Sequence, residues 1–68
     1  MPKFRNENHK DVYDYLNSLL GKCASVHSIS IHTTKNERSV RSSLTALKNR
    51  GLASPDPEAR NVWCLTNA

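Results

Sequence analysis

The chain has 68 residues, of which 10 are Lys or Arg and 6 are Asp or Glu, so its formal net charge is +4. A chain of this length buries only about 60% of the surface that it exposes when unfolded, which leaves little scaffold for a dry, preorganised catalytic pocket. We therefore expect a binding protein rather than an enzyme, and the positive charge favours an anionic partner.

Neither a membrane segment nor a cofactor site is expected from this sequence. The longest apolar run, Val62–Leu65, falls far short of the roughly 20 residues that a spanning helix needs. The first residues also lack the apolar core of a signal peptide, and we expect a cytoplasmic protein. Cys23 and Cys64 have no Cys or His neighbour at zinc-ligand spacing. We therefore expect two buried free thiols, with neither a metal site nor a disulfide framework.

We predict a flexible arm over residues 1–7 and a single folded domain over residues 8–68. The first helix of this domain is predicted from Asn8 to Leu20. Gly21 stands where a helix stop is expected. The apolar residues of this helix recur at the i, i+3, i+4, i+7 spacing of one buried face: Val12, Tyr15, Leu16 and Leu19.

The next stretch, residues 22–32, fits two patterns. Val26 and Ile29 fit a short helix, whereas Ile29 and Ile31 also fit the alternation of a strand. Ser25 is a suitable N-cap, and the polar pair Thr33–Thr34 provides a break before the next helix. These two features favour a short second helix.

The third helix has the clearest signals, and we predict it over residues 36–50. Asn36 is a good N-cap, Glu37 lies in the first turn where the helix dipole favours an anion, and Gly51 ends the run. Its buried face is formed by three residues at helical spacing: Val40, Leu44 and Leu47. Its opposite face has no apolar residue larger than Ala46. This face carries Arg38, Ser42, Thr45 and Asn49, with Arg41 and Lys48 on its flank.

The C-terminal part predicts a β-hairpin. Leu52–Ser54 and Val62–Thr66 have strand character, and a loop stiffened by Pro55 and Pro57 separates them. Trp63 and Leu65 alternate with Val62 and Cys64, so one side of the second strand can close over the helices.

This order of elements resembles the winged helix-turn-helix family of DNA-binding domains. The resemblance extends over residues 9–66. It rests on these positions: Ile29–Ser30, Asn36, Ser39–Val40, Leu44, Leu47, Gly51–Leu52 and Trp63–Thr66. It implies an α+β fold with three helices followed by a two-stranded β-hairpin wing. The sequence departs from the family at the turn, where Thr33–Thr34 replaces the usual apolar residue and Gly.

Charge supports a nucleic-acid partner for this fold. Between Lys35 and Arg50 the chain has five basic residues and one acid, Glu37. Clustered Lys and Arg neutralise phosphates, and an Arg fork can read guanine in the major groove. We predict sequence-specific binding of double-stranded DNA, with helix 36–50 in the major groove and the wing, residues 53–62, on the backbone. The predicted DNA-binding residues are Thr34, Lys35, Asn36, Arg38, Ser39, Arg41, Ser42, Thr45, Lys48, Arg60 and Asn61.

Several alternatives stay open at this point. A winged helix can instead be a protein-interaction module, although no broad exposed apolar stripe is evident. Domains of the Zα type bind left-handed nucleic acid with a last-strand tryptophan and wing prolines, which Trp63, Pro55 and Pro57 match in type. We favour a small transcriptional regulator of bacterial, archaeal, phage or plasmid type. We expect it to be a monomer or a weak homodimer formed through the first helix or the wing.

Overall fold

The computed structural model describes Phe4 and residues 6–66, and its three helices and three short strands form one α+β domain. The helices are α1 (Glu7–Ser18), α2 (Val26–Thr33) and α3 (Glu37–Asn49), and the strands are β1 (Cys23–Ser25), β2 (Ala53–Pro55) and β3 (Val62–Leu65). The predicted three helices and C-terminal hairpin are confirmed, and β1 is an additional strand that the sequence patterns did not indicate. None of the described helices is long and apolar enough to span a membrane.

Helix α1 begins one residue earlier and ends two residues earlier than predicted. Asn6 is its N-cap, because the side-chain oxygen of Asn6 accepts a hydrogen bond from the backbone N–H of Asn8 at 2.8 Å. At the other end Leu19 is already extended, and Leu20 is fully exposed. The helix therefore ends before Gly21 rather than at it.

The N-terminal segment is partly packed onto the domain. The ring of Phe4 lies 5.2 Å from that of Tyr13, and the guanidinium of Arg50 lies 4.8 Å from the centre of the Phe4 ring. Residues 1–3 and 5 lie outside the described residues, so the division into an arm over 1–7 and a domain over 8–68 stays a prediction. Within that segment, Phe4 contacts the core, and Asn6 and Glu7 form the cap and the first turn of α1.

The turn between α2 and α3 forms without glycine. Ser25 caps α2 as predicted, with its hydroxyl oxygen accepting from the Ser28 N–H at 3.1 Å. Thr34 ends α2 in the left-handed region at φ 57°, where the family usually has a Gly. The N–H of Lys35 then donates to the carbonyl of Ser30 at 3.1 Å. A threonine thus adopts the conformation that the turn requires.

Helix α3 follows the prediction closely. The side-chain oxygen of Asn36 accepts from the Ser39 N–H at 2.7 Å, and Gly51 leaves the helix at φ 76°. The predicted buried residues of α3 are fully enclosed between α1 and α2. Among the described residues, the buried apolar core consists of Val12, Tyr13, Leu16, Val26, Ile29, Val40, Leu44, Leu47 and Ala53.

The strands form one antiparallel sheet in the order β1-β3-β2. Central strand β3 places Trp63 and Leu65 against the core, as predicted. One edge of β3 pairs with β2 and the other edge pairs with β1. In the pairing with β1, Cys23 lies opposite Cys64. The wing hairpin is therefore attached to the segment between α1 and α2.

The prediction of two buried free thiols was wrong, because Cys23 and Cys64 form a disulfide with a Cα–Cα distance of 4.0 Å. The Leu65 N–H donates to the Lys22 carbonyl next to the bridge, so the cysteines occupy a non-hydrogen-bonded pair of the antiparallel ladder. Side chains of such a pair approach each other most closely. The two residues are far apart in the chain, and their proximity follows from β1, which was not predicted.

Reducing this disulfide is expected to destabilise the fold strongly. The bridged residues are separated by 41 positions. In the chain-entropy model, closing a loop of this length stabilises the folded state by about 4 kcal/mol. This is a large share of the free energy of unfolding of a typical domain, which is roughly 5–15 kcal/mol. Urea unfolding followed by far-UV circular dichroism should show a lower midpoint after reduction by a dithiol. The double variant Cys23→Ser/Cys64→Ser, as the control, should unfold identically with and without the dithiol.

Candidate nucleic-acid interface

The outer face of α3 is a continuous exposed polar surface. Arg38, Arg41, Ser42 and Thr45 are all exposed there, because the opposite side of the helix fills the core. Lys48 is exposed one turn further along, as predicted. The hydroxyl of Thr45 donates to the carbonyl of Arg41 at 2.9 Å, which orients its methyl group and oxygen along the helix surface.

The one acid of this surface, Glu37, interacts with two neighbouring side chains. Its carboxylate lies 3.9 Å from Nη2 of Arg41 and 3.3 Å from Nδ1 of His27. Arg38 forms no ion pair with any residue that the structure describes. Its guanidinium is therefore available for a partner, whereas that of Arg41 has a weak competitor within the helix.

The three predicted residues of the turn are engaged to different degrees. Thr34 is exposed, and the side-chain oxygen of Asn36 is occupied by the helix cap. Nζ of Lys35 lies 3.1 Å from the Asp11 carboxylate of α1, and the side chain of Lys35 is only 18% exposed. Lys35 thus holds the start of α3 to α1, and its predicted contact with phosphate stays a prediction.

A second lysine is neutralised on α1 itself. Nζ of Lys10 lies 3.0 Å from the Asp14 carboxylate. This hydrogen bond raises the pKa of Lys10 above its ordinary value, with a further contribution from the Asp14 charge. Two acidic residues of α1, Asp11 and Asp14, therefore form ion pairs with Lys35 and Lys10. Among the described residues, the lysines and arginines without an ion pair lie outside α1.

The wing carries the last two predicted residues. Arg60 and Asn61 are both exposed. Asn61 lies in the left-handed region at φ 59°, and its carbonyl accepts from the Val26 N–H, the first residue of α2, at 2.7 Å. The wing loop is therefore tied to the helix-turn-helix at its C-terminal end. Pro55 pairs directly with Trp63 across the hairpin.

An open groove between α1 and α3 adds residues that the sequence patterns did not indicate. It has a volume of about 260 Å³. The N-terminal turns of both helices form its walls: Asn6, Asn8 and His9 from α1 and its cap, and Arg38, Ser39, Ser42 and Ser43 from α3. Three predicted DNA-binding residues, Arg38, Ser39 and Ser42, are brought together here. The residue pattern of α1 alone could not have identified Asn8 and His9 as groove residues, because the groove depends on how α1 and α3 pack together.

Comparison with known proteins supports the fold at the level of the whole chain. No protein-family model matches the sequence, and a search of curated proteins found no match. Among solved structures, the chain is similar to the Zβ domain of human DAI, for which a solution structure and binding modes to B- and Z-DNA are described. The two are 19% identical and superimpose with a TM-score of 0.81 over 98% of this chain and 94% of that chain. The protein has a winged-helix fold.

The winged-helix arrangement places the predicted residues in three regions. One is the exposed face of α3, one is the turn before it, and one is the wing loop at Arg60–Asn61. The α1–α3 groove connects with the first of these regions through Arg38, Ser39 and Ser42.

The ion pair between Lys35 and Asp11 predicts a measurable coupling in the winged helix. Partly exposed pairs of this kind stabilise a fold by roughly 0.2–1 kcal/mol. A double-mutant cycle of Lys35→Ala and Asp11→Ala, followed by urea unfolding, should give a coupling free energy in this range. Additive effects of the two substitutions would instead show that the pair contributes nothing, which would leave Lys35 free to contact phosphate.

Proposed function

We propose that this winged helix binds double-stranded DNA in a sequence-specific manner, with α3 in the major groove. The observation that carries the proposal is the exposed face of α3, where Arg38 has no internal partner and short hydroxyl side chains surround it. The Zβ domain of human DAI, which is similar in fold, is described with B- and Z-DNA, and this supports a nucleic-acid partner.

The chemistry of the face fits direct reading of bases. A guanidinium can donate two parallel hydrogen bonds to O6 and N7 of guanine. Ser42 and Thr45 are short, so they let the helix axis come close to the base edges while offering donors and acceptors. Residues near the N-terminus of a recognition helix meet the bases first, which places Arg38 and Ser39 ahead of Lys48.

The wing is proposed to contact the backbone beside this groove. Arg60 and Asn61 are exposed at the end of the wing loop, and the hydrogen bond from Val26 to Asn61 fixes that end relative to α2. Asp56 and Glu58, at the start of the loop, would be repelled by phosphates at close range. We therefore propose a contact through the Arg60 side of the loop, in a small regulator of transcription.

Replacing Arg38 tests this assignment. Arg38→Ala should weaken binding to a duplex selected for high affinity by about tenfold or more, because one bidentate base contact provides about 1–3 kcal/mol of discrimination. The matched control is Arg50→Ala, which removes the same charge from the same helix at its C-cap, beyond the proposed contact surface. Its affinity should stay within about twofold of the original protein.

Fluorescence anisotropy at several salt concentrations makes the measurement. Binding of the original protein should weaken steeply with salt, because phosphate contacts release counterions. Equal losses for Arg38→Ala and Arg50→Ala would contradict the placement of Arg38 at the bases. No binding to any duplex at low salt would contradict the proposed function and favour a protein partner.

A second candidate function, recognition of left-handed duplex, is favoured by one specific observation. Pro55 lies far from Trp63 in the chain, but the hairpin register makes the two direct neighbours. A last-strand tryptophan beside a wing proline is the feature in which the sequence resembles domains of the Zα type. Trp63 packs against the core and is only partly buried.

Circular dichroism of an alternating d(CG) duplex distinguishes the two candidates. If the second candidate is right, adding the protein at moderate salt should invert the long-wavelength band of the duplex, and Trp63→Phe should reduce the inversion. A mixed-sequence duplex is the control and should keep its right-handed spectrum. Binding to both duplexes without any spectral change would favour major-groove recognition of right-handed DNA alone.

A further inference from the structure

The α1–α3 groove lies directly beside the proposed DNA-reading face but uses side chains that this function does not assign. Arg38, Ser39 and Ser42 belong to both, whereas Asn8 and His9 come from the first turn of α1. The groove thus extends the polar surface of α3 across to a second helix.

The lining of the groove suits an anion. Its side chains include one guanidinium, one imidazole, two amides and three hydroxyls, and no carboxylate is among them. Arg38 contributes a full positive charge, and an imidazole offers an N–H donor in either neutral tautomer. A guanidinium together with neutral N–H and O–H donors can bind phosphate oxygens, since hydrogen bonds between an ionised donor and a phosphate are among the strong ones.

Ser43 gives the groove a buried polar floor. It is 1% exposed, it is the one buried polar residue among those described, and it lines the groove. The hydrogen bonds formed within the described part of the chain do not include one from its hydroxyl. No described side-chain oxygen is both fully buried and without a partner, so the Ser43 oxygen is reachable from the groove that it lines. Its hydroxyl can therefore donate to an oxygen atom bound there.

Two helix dipoles add to this electrostatic arrangement. Asn8 lies in the first turn of α1 and Ser39 in the first turn of α3, so the positive ends of both helices adjoin the groove. Glu7 and Glu37 also lie in these first turns and offset part of the potential, but neither lines the groove.

We propose that the α1–α3 groove binds a phosphate group of the nucleic-acid backbone, so that α1 anchors the duplex next to the base-reading face of α3. The volume of about 260 Å³ is smaller than the roughly 300–1,000 Å³ of pockets for drug-sized ligands, and it fits a phosphate with part of its sugar. The proposal rests on the proposed function, because the duplex would present this phosphate to α1 while Arg38 contacts the bases.

The decisive variant is Asn8→Asp, which reverses the character of one groove wall with almost no change in size. A carboxylate in the first turn of a helix is favourable, so this variant should fold at least as stably as the original protein. The matched control is Asn17→Asp in the same helix. Nζ of Lys22 lies 2.9 Å from the Asn17 side-chain oxygen and would compensate the new charge. Both variants have the same net charge, so long-range electrostatic effects cancel in the comparison.

We expect Asn8→Asp to weaken binding to a mixed-sequence duplex about tenfold and to lower the salt slope by about one, as the loss of one phosphate contact predicts. Asn17→Asp should stay within about twofold of the original protein. Fluorescence anisotropy over a salt series measures both quantities, and thermal unfolding confirms that the variants are folded. Equal affinities and slopes for the two variants, with binding of the original protein intact, would overturn the groove assignment and leave the proposed function standing.

A titration with inorganic phosphate tests anion binding in the groove independently of duplex binding. In ¹⁵N-correlated NMR spectra, the amide signals of Asn8, His9 and Ser39 should shift in the original protein and not in Asn8→Asp. If no duplex binds but these signals shift, the proposed function fails and the groove is a site for free phosphate. If neither duplex nor phosphate has an effect, the groove assignment fails as well.

Discussion

The burial of one side of α3 between α1 and α2 determines where every functional side chain lies. Val40, Leu44 and Leu47 are fully enclosed, and this fixes the rotation of the helix about its axis. Residues two or five positions away along the helix must then face outwards. The same three apolar contacts therefore build the core and present Arg38, Ser42 and Thr45 to a partner. In so small a domain there is no separate scaffold for recognition.

Acidic side chains change the charge of this surface by forming ion pairs with some of the lysine and arginine residues. Asp11 holds Lys35, Asp14 holds Lys10, and Glu37 lies near Arg41. Arg38, in the first turn of α3, has no such partner among the described residues. Because the net charge of the whole chain is only +4, this internal pairing matters more for recognition than the total does. Among the described residues it leaves Arg38 unpaired where α3 meets the groove, and Lys48 and Arg60 are unpaired further along the surface.

Local signals made some elements predictable. Asn36, Gly51 and the apolar face between them defined α3 almost to the residue, because caps and periodicity act within one helix. The three-residue strand β1 was missed, since so short a strand exists only through its pairing with β3. The disulfide, the Lys35–Asp11 pair and the α1–α3 groove all depend on which distant segments meet. Sequence patterns within single elements carry no information on such contacts, so the share of α1 in the candidate site appeared only in the structure.

The bridge between Cys23 and Cys64 turns most of the molecule into a covalent ring. This ring contains α2, the turn, α3 and the whole wing, whereas α1 lies outside it and packs onto it through Val12, Tyr13 and Leu16. One cut of the backbone anywhere inside the ring, for example in the wing loop, would leave both fragments joined through the two sulfurs. The recognition helix and the wing would then stay in one molecule after a proteolytic nick. Since disulfides persist mainly in oxidising surroundings, this protection would depend on the redox state of the compartment in which the protein acts.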